Sequence, residues 1–339
     1  MISTVLALSS SLLQPLMGHL SDRYGRRLFL AAGPLSGVFL ALMGVAPSVV
    51  FLVVLLILGG VMSAAFHPPG ATVAARASAG KGSGARFSVF SFGGAAGYAA
   101  GPLVAVWLVS RGGFQGLWVA MIPGIVLALL LLRLPDVEPP QRRAPDIRGI
   151  LRAFRGPLGI IFGLSAVGAF AQRLFLTMEP IVVSQAGGSE AAGAVAVSVY
   201  LAAQAGGTLA GGGMADRMDR RTLLILLTLV NLPAHLLAFA LPPGTPGFYL
   251  AVLVAGGVNM ALLPPIIVMA QELLPGSAGA SSGIVMGLAW SVGSLLIPLA
   301  GILGDVVGAR EAALFSMPVL ALGCLLAFHP VLRRVVRPA

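Results

Sequence analysis

The chain has 339 residues, of which 58% are hydrophobic and only 9% charged. A water-soluble domain carries about 25% charged residues, so this chain lacks the polar surface that a soluble fold needs. Its net charge of +10 sits in short loops between apolar runs, with no basic groove interleaved with aromatics, which excludes a nucleic-acid partner.

Eleven apolar spans are predicted, at about 3–20, 28–46, 50–75, 87–109, 114–133, 157–183, 192–213, 222–241, 247–272, 281–303 and 312–331. Each is long enough to cross a hydrocarbon core of about 30 Å. The longest polar, Pro-rich stretch is 135–156. It reads as a linker between an N-terminal bundle (1–134) and a C-terminal bundle (157–332), with 333–339 as a tail. Loops on one side hold Arg23, Arg26, Arg27, Arg76, Lys81, Arg86, six Arg from Arg133 to Arg155, then Arg217, Arg220, Arg221, Arg333, Arg334 and Arg337. That is 18 of the 21 basic residues. The asymmetry predicts that this side, with the C-terminus, is cytoplasmic, and that the chain resides in a bacterial inner membrane. No basic segment precedes the span at 3–20, which argues against a signal peptide.

The chain repeats itself. Gly18-His-Leu-Ser-Asp22-Arg23-Tyr-Gly25-Arg26-Arg27 returns 194 positions later as Gly212-Gly-Met-Ala-Asp216-Arg217-Met-Asp219-Arg220-Arg221. Pro68-Pro69 matches Pro264-Pro265, Gly97 matches Gly293 and Pro102 matches Pro298, all at a spacing of 196. Whole helix sets repeated in this way are a transporter construction. On this register the partner of span 157–183 would begin before residue 1, so the expectation is that one N-terminal helix is missing from a set of twelve.

The Gly18–Arg27 segment resembles the signature loop between helices 2 and 3 of the major facilitator superfamily. Gly18, Asp22, Arg23, Gly25, Arg26 and Arg27 stand where that pattern wants them; the second copy departs from it at Asp219. The resemblance implies an all-α polytopic membrane protein of the major-facilitator fold. It would have two pseudo-symmetric bundles, here with five and six helices, rocking around a central cavity. It further implies that Asp22 docks at the positive N-terminus of the helix near Ser281, and Asp216 at the helix near Phe87. Gly18, Asp22, Arg23, Gly25, Arg26, Arg27, Gly212, Asp216, Arg217, Arg220 and Arg221 would form the conformational switch. The alternative is that these arginines only set topology.

Gly93, Gly97, Gly101 and Pro102 partly resemble the Gly-Pro motif of the superfamily's antiporters, although Ala105-Val106 replace the Gly-Gly expected next. Gly at every fourth residue predicts a smooth packing face. Phe66-His67-Pro68-Pro69-Gly70, Gln271-Glu272-Leu-Leu-Pro275, Ala280-Ser281-Ser282-Gly283 and the Met286–Gly293 run resemble the fosmidomycin-resistance type of exporter in the superfamily. That implies efflux of small drug-like or polar molecules in exchange for protons. The other readings are uptake of a sugar or organic anion, and a non-transporting scaffold on the same fold.

In this architecture helices 1, 4, 7 and 10 line the cavity. His67 lies beside the Pro68-Pro69 pair, which is expected to break its helix and free carbonyls. A His can take a proton near neutral pH. Arg173 is the one basic residue deep in a span, where a charge must face a cavity or a partner. Glu179 lies six residues on and is expected near the rim, within snorkelling reach of the surface. Gln172, Gln204, Asn259, Gln271 and Glu272 complete the candidate substrate and proton cavity. Pro264-Pro265 mark a second kink, and Met178, Met260 and Met269 read as packing.

The remaining chemistry is sparse. The Gly-rich strip 79–86 lacks the Gly-Lys-Ser/Thr ending of a phosphate loop. Cys324, the single cysteine, has no disulfide partner within the chain. No His/Cys cluster has metal spacing, no Ser has a convincing base, and no span holds a carboxylate pair. The expectation is therefore a monomeric transporter, not an enzyme, without metal or cofactor, whose partners are a small molecule, protons and the lipid bilayer.

Overall fold

A computed structural model describes residues 2–24, 26–77, 83–133, 152, 154–273 and 284–334. Among them the ordered elements are all helical. The chain divides into two compact units, one formed by Met1–Gly93 with Val104–Ala144, the other by Gly94–Leu103 with Pro145–Ala339.

The first unit contains α1 (Ile2–Leu12), α2 (Gln14–Tyr24), α3 (Arg27–Ala41), α4 (Val49–Ala77), most of α5 (Ser83–Gly112) and α6 (Met121–Leu131). The expected first span is split at Leu13, close to Pro15, which has no N–H to donate to a helical ladder. By contrast α4 runs unbroken through Pro68 and Pro69, so the predicted break there does not occur. α3 packs on α4 at small residues. A Cβ on Gly33 would come within 2.6 Å of Phe66 Cδ2, and the Ser36 hydroxyl donates to the Gly59 carbonyl at 2.8 Å.

The second unit is built around α7 (Pro157–Gln185), the most enclosed candidate span among the described residues. Around it stand α8 (Glu190–Ala215), α9 (Arg220–Ala240), α10 (Pro246–Ala261) and α11 (Leu263–Leu273). A π turn at Ile284–Leu288 leads into α12 (Ala289–Ser294), then α13 (Ile297–Val307), α14 (Ala309–Phe315) and α15 (Met317–Phe328). The helix starts follow local chemistry. The side chains of Ser189, Asp219 and Thr245 accept hydrogen bonds from Ala192, Thr222 and Phe248 N–H, satisfying first-turn donors that have no helical partner. Asp219, the departure from the repeat, is thus the cap of α9. Pro264-Pro265, unlike their partners in α4, do interrupt the helix, between α10 and α11.

Phe170, Phe175, Tyr200, Phe239 and Phe248 form the centre of this unit, each at most 2% exposed. α8 and α10 meet backbone to backbone. A Cβ on Gly207 would collide with the Gly257 carbonyl, and one on Gly256 with the Tyr200 carbonyl. Small residues permit such close approach where lipid offers no hydrophobic drive between helices.

Gly93, Gly97 and Gly101 behave differently from the expected packing face: among the described residues a Cβ on any of them meets nothing within 4 Å. Gly293, the repeat partner of Gly97, is the packed one, with Ala166 and Phe170 of α7 against it. Pro102 is accommodated inside α5.

Candidate functional site

The polar groups of the second unit form a chain that the backbone positions helix by helix. Asn231 and His235 lie four residues apart on one face of α9, and both are buried. His235 Nδ1 is 2.9 Å from the Asn231 carbonyl. A carbonyl only accepts, so Nδ1 carries the proton and Nε2 is the acceptor. The Tyr200 hydroxyl of α8, 3.1 Å away, then donates to Nε2. The Asn231 amide donates to Asn259 Oδ1 on α10 at 3.2 Å, and the Asn259 amide donates to the Gly168 carbonyl of α7 at 3.1 Å. Gln204, one turn along α8, is buried beside Tyr200. Four helices are therefore joined by side-chain hydrogen bonds in a region otherwise apolar.

Asn259 also borders a small cavity at the α10–α11 interruption, with Ser165, Gly168, Met260 and Trp290 on its walls. The Ser165 hydroxyl is turned away to the Val285 carbonyl at 2.5 Å. Of the expected cavity residues, Asn259 is the one brought here. Gln172 is buried on α7 and Arg173 half-buried, and among the described residues Gln172 Oε1 and Arg173 Nε have no hydrogen-bond partner.

Glu179 is not at the rim. It is 0% exposed, and neither carboxylate oxygen has a hydrogen-bond partner among the described residues. Helix packing on α7 closes over it, which the one-dimensional count of residues to the span end could not show. Glu272, also expected in the cavity, lies on α11. It is exposed and receives Arg220 Nη1 on its two oxygens at 2.6 and 2.5 Å. Gln271 lies on α11, but its side chain is outside the described residues, as are the side chains of Asp22 and Arg23 and the surroundings of Gly18 on α2. Gly25, the start of the helix near Ser281 and the side chain of Phe87 are outside them too, so the expected Asp22 and Asp216 docking lies beyond what is described.

His67 is exposed on α4 and stacks edge-on against Phe66, with ring centroids 5.9 Å apart. Arg26, expected in a loop, is 1% exposed. Arg27 opens α3. Asp216 closes α8 and is exposed like Arg217, and a Cβ on Gly212 would meet open space. Arg221 donates to the Phe328 carbonyl at 3.0 Å.

Tyr200, Asn231 and His235 were missed by the sequence reading because it looked only along the helices expected to line a cavity. The available signal was the pair of polar residues at i and i+4 in an apolar span, where each needs a partner. Arg310, which holds the Phe239 and Ala240 carbonyls at the end of α9, carried no such signal.

Ten helices among the described residues are long and apolar enough to span a bilayer. Side chains such as Leu250, Leu299 and Val306 are largely exposed, which hydrocarbon tolerates and water does not. These features define an integral membrane protein of the helical-bundle type. The chain belongs to the Major Facilitator Superfamily, whose family model matches residues 1–298. It is 30% identical over 345 residues to the uncharacterized MFS-type transporter YfnC of Bacillus subtilis (strain 168), covering 95% of this chain and 81% of that protein. It is 28% identical over 320 residues to the fosmidomycin resistance protein of Escherichia coli (strain K12), covering 90% and 77%. Among solved structures, a bacterial homolog of the human lysosomal transporter Spinster, inward-facing and unoccupied, matches with a TM-score of 0.70 at 16% identity, over 99% of this chain and 91% of that one. That likeness is one of fold. The family and these relatives are transporters rather than enzymes.

Proposed function

We propose that this protein is a secondary exporter of small drug-like or polar molecules, driven by exchange for protons through alternating access. The observation that carries this reading is the alignment with a fosmidomycin resistance protein over 90% of the chain. The side with 18 basic residues is assigned to the cytoplasm of a bacterial inner membrane, with the C-terminus on it. The Asp22 and Asp216 loops are assigned the switch, and Arg173, Gln172 and Asn259 the contacts with polar substrate groups.

The test uses fosmidomycin as the probe. Inverted vesicles containing the protein accumulate it when an inward-acid proton gradient is imposed, and an uncoupler abolishes the accumulation. Accumulation equal to that of vesicles without the protein overturns the efflux reading for this probe. Accumulation insensitive to the uncoupler overturns the proton coupling.

A further inference from the structure

The Gly168 carbonyl sets the direction of a relay of two amides. In the continuous helix α7 one of its lone pairs takes the backbone N–H one turn on, and the other takes the Asn259 amide at 3.1 Å. A carbonyl only accepts, so the Asn259 atom on that side is Nδ2 and the one facing Asn231 is Oδ1. Oδ1 requires a donor, and Asn231 presents its Nδ2 there at 3.2 Å. Asn231 Oδ1 is then left without a hydrogen-bond partner among the described residues. Flipping either amide, or both, would set two acceptors face to face, so the relay runs one way.

The bond from Asn231 to Asn259 is buried, whereas that from Asn259 to Gly168 is only partly so. The Nδ2 end of Asn259 therefore lies toward the cavity that Asn259 and Gly168 both border. An amide nitrogen carries two hydrogens, and Gly168 uses one.

The acceptors around the cavity are occupied. Pro264 and Pro265 bring no N–H to the carbonyls of Met260 and Ala261. Met260 O accepts instead from Leu262 N–H, and Ala261 O lies against Gly211 of α8. The Val285 carbonyl takes the Ser165 hydrogen. Leu164, Leu263 and Ile266 are apolar walls, the Trp290 indole can only donate, and among the described residues on the walls none carries a charge. A single neutral donor in apolar surroundings can match a neutral acceptor, but it cannot offset the desolvation of an anion.

We propose that the cavity between α7, α10, α11 and α12 takes an uncharged hydrogen-bond-accepting group, of the ketone or ester carbonyl type, on the second Nδ2 hydrogen of Asn259. Asn231 is the positioning residue: it holds Asn259 Oδ1, so that the amide offers the cavity its N–H and not its oxygen. This deepens the export reading above and rests on it, naming the substrate class as molecules with an apolar segment that ends in a neutral carbonyl.

The experiment measures binding without a gradient. Trp290 is in the wall and serves as the reporter. Protein labelled with 5-fluorotryptophan in a Trp107→Phe, Trp118→Phe background is titrated in detergent with cyclohexanone and with methylenecyclohexane, which share a shape and differ in the accepting oxygen. Comparing the ratio of the two dissociation constants between variants cancels partition into detergent. Both probes are expected to give a saturable shift of the Trp290 fluorine resonance. The ratio should favour the ketone about fivefold more in this background than after Asn259→Leu, the worth of one neutral hydrogen bond. Asn231→Leu should lose that preference as well, without weakening methylenecyclohexane, and Asn231→Gln, which keeps a donor on α9, should retain it. If Asn231→Leu does not fold, Asn231→Ala is read in the same way. Absence of saturable binding by either probe, or an equal ratio after Asn259→Leu, overturns the site. A ketone preference that survives loss of the Asn231 amide overturns its positioning role. Failure of fosmidomycin to accumulate in vesicles leaves these ratios unchanged, so the two readings fail separately.

Discussion

The Tyr200 hydroxyl and His235 Nε2 lie 3.1 Å apart in the interior of the second unit, and the His235 ring has its other nitrogen on the Asn231 carbonyl. Both ring nitrogens are thus satisfied by a single tautomer. Tyr200→Phe keeps the ring stack on Phe175, whose centroid is 4.2 Å away, but strands Nε2 without a donor. The expected loss is about 1–3 kcal/mol, the usual cost of an unsatisfied buried polar group. Reversible unfolding in detergent measures it. A stability equal to wild type would show that another donor reaches Nε2.

Asn231 and Asn259 join α9 to α10, and Asn259 continues to the Gly168 carbonyl of α7. A double-mutant cycle with Ala at both positions should give a coupling of about 0.6 kcal/mol, and no more than about 1.7, the range found between membrane helices. Coupling indistinguishable from zero would mean that the two amides are satisfied independently.

The glycines of α8 and α5 should respond in opposite ways. Gly207→Ala forces α8 off the Gly257 carbonyl and should destabilise by about 1–3 kcal/mol, the cost of overpacking. Gly97→Ala meets nothing within 4 Å among the described residues and should leave thermal stability in detergent unchanged or slightly raised, because Ala is the better helix former. Equal losses at the two positions would refute the packing distinction.

Asp219 and Glu272 are both exposed acids near the start of α9, with different jobs. Asp219→Ala removes the cap whose Oδ2 accepts from Thr222 N at 2.8 Å and should cost about 1 kcal/mol. Glu272→Gln removes the ion pair with Arg220, whose side chains are 47% and 28% exposed. An exposed pair contributes little, about 0–1 kcal/mol, and less at high salt. Chemical denaturation at low and high salt separates the two, the second loss shrinking with salt and the first persisting.

Asp22→Asn tests the switch. It should leave membrane insertion intact and raise the reactivity of single cysteines placed along the cavity toward a cytoplasm-side reagent. Unchanged labelling from both sides would remove Asp22 from the switch.

Much of this protein was determined by sequence alone. Apolar length set the spans, because a bilayer core has a fixed thickness and every backbone polar group inside it must be bonded within a helix. The repeated loops and the resemblance they carry gave the superfamily. Composition removed soluble and nucleic-acid alternatives for the same reason, since 9% charge cannot clothe a surface in water.

What the tertiary structure decided was which polar residues meet. His67 and Glu179 looked alike in one dimension, each a titratable group beside a Pro in a span. One is exposed and the other fully enclosed, because burial depends on the neighbouring helices and not on position along one's own. Pro68-Pro69 and Pro264-Pro265 share a spacing in the repeat, but α4 runs through its pair and the α10–α11 segment does not. A proline removes a hydrogen bond in either place; the packing around it determines whether the helix continues. Tyr200, the Asn231–His235 pair and Asn259 lie on three different helices and become one hydrogen-bonded chain only when α8, α9 and α10 pack side by side, since in hydrocarbon a polar side chain must find its partner within the protein.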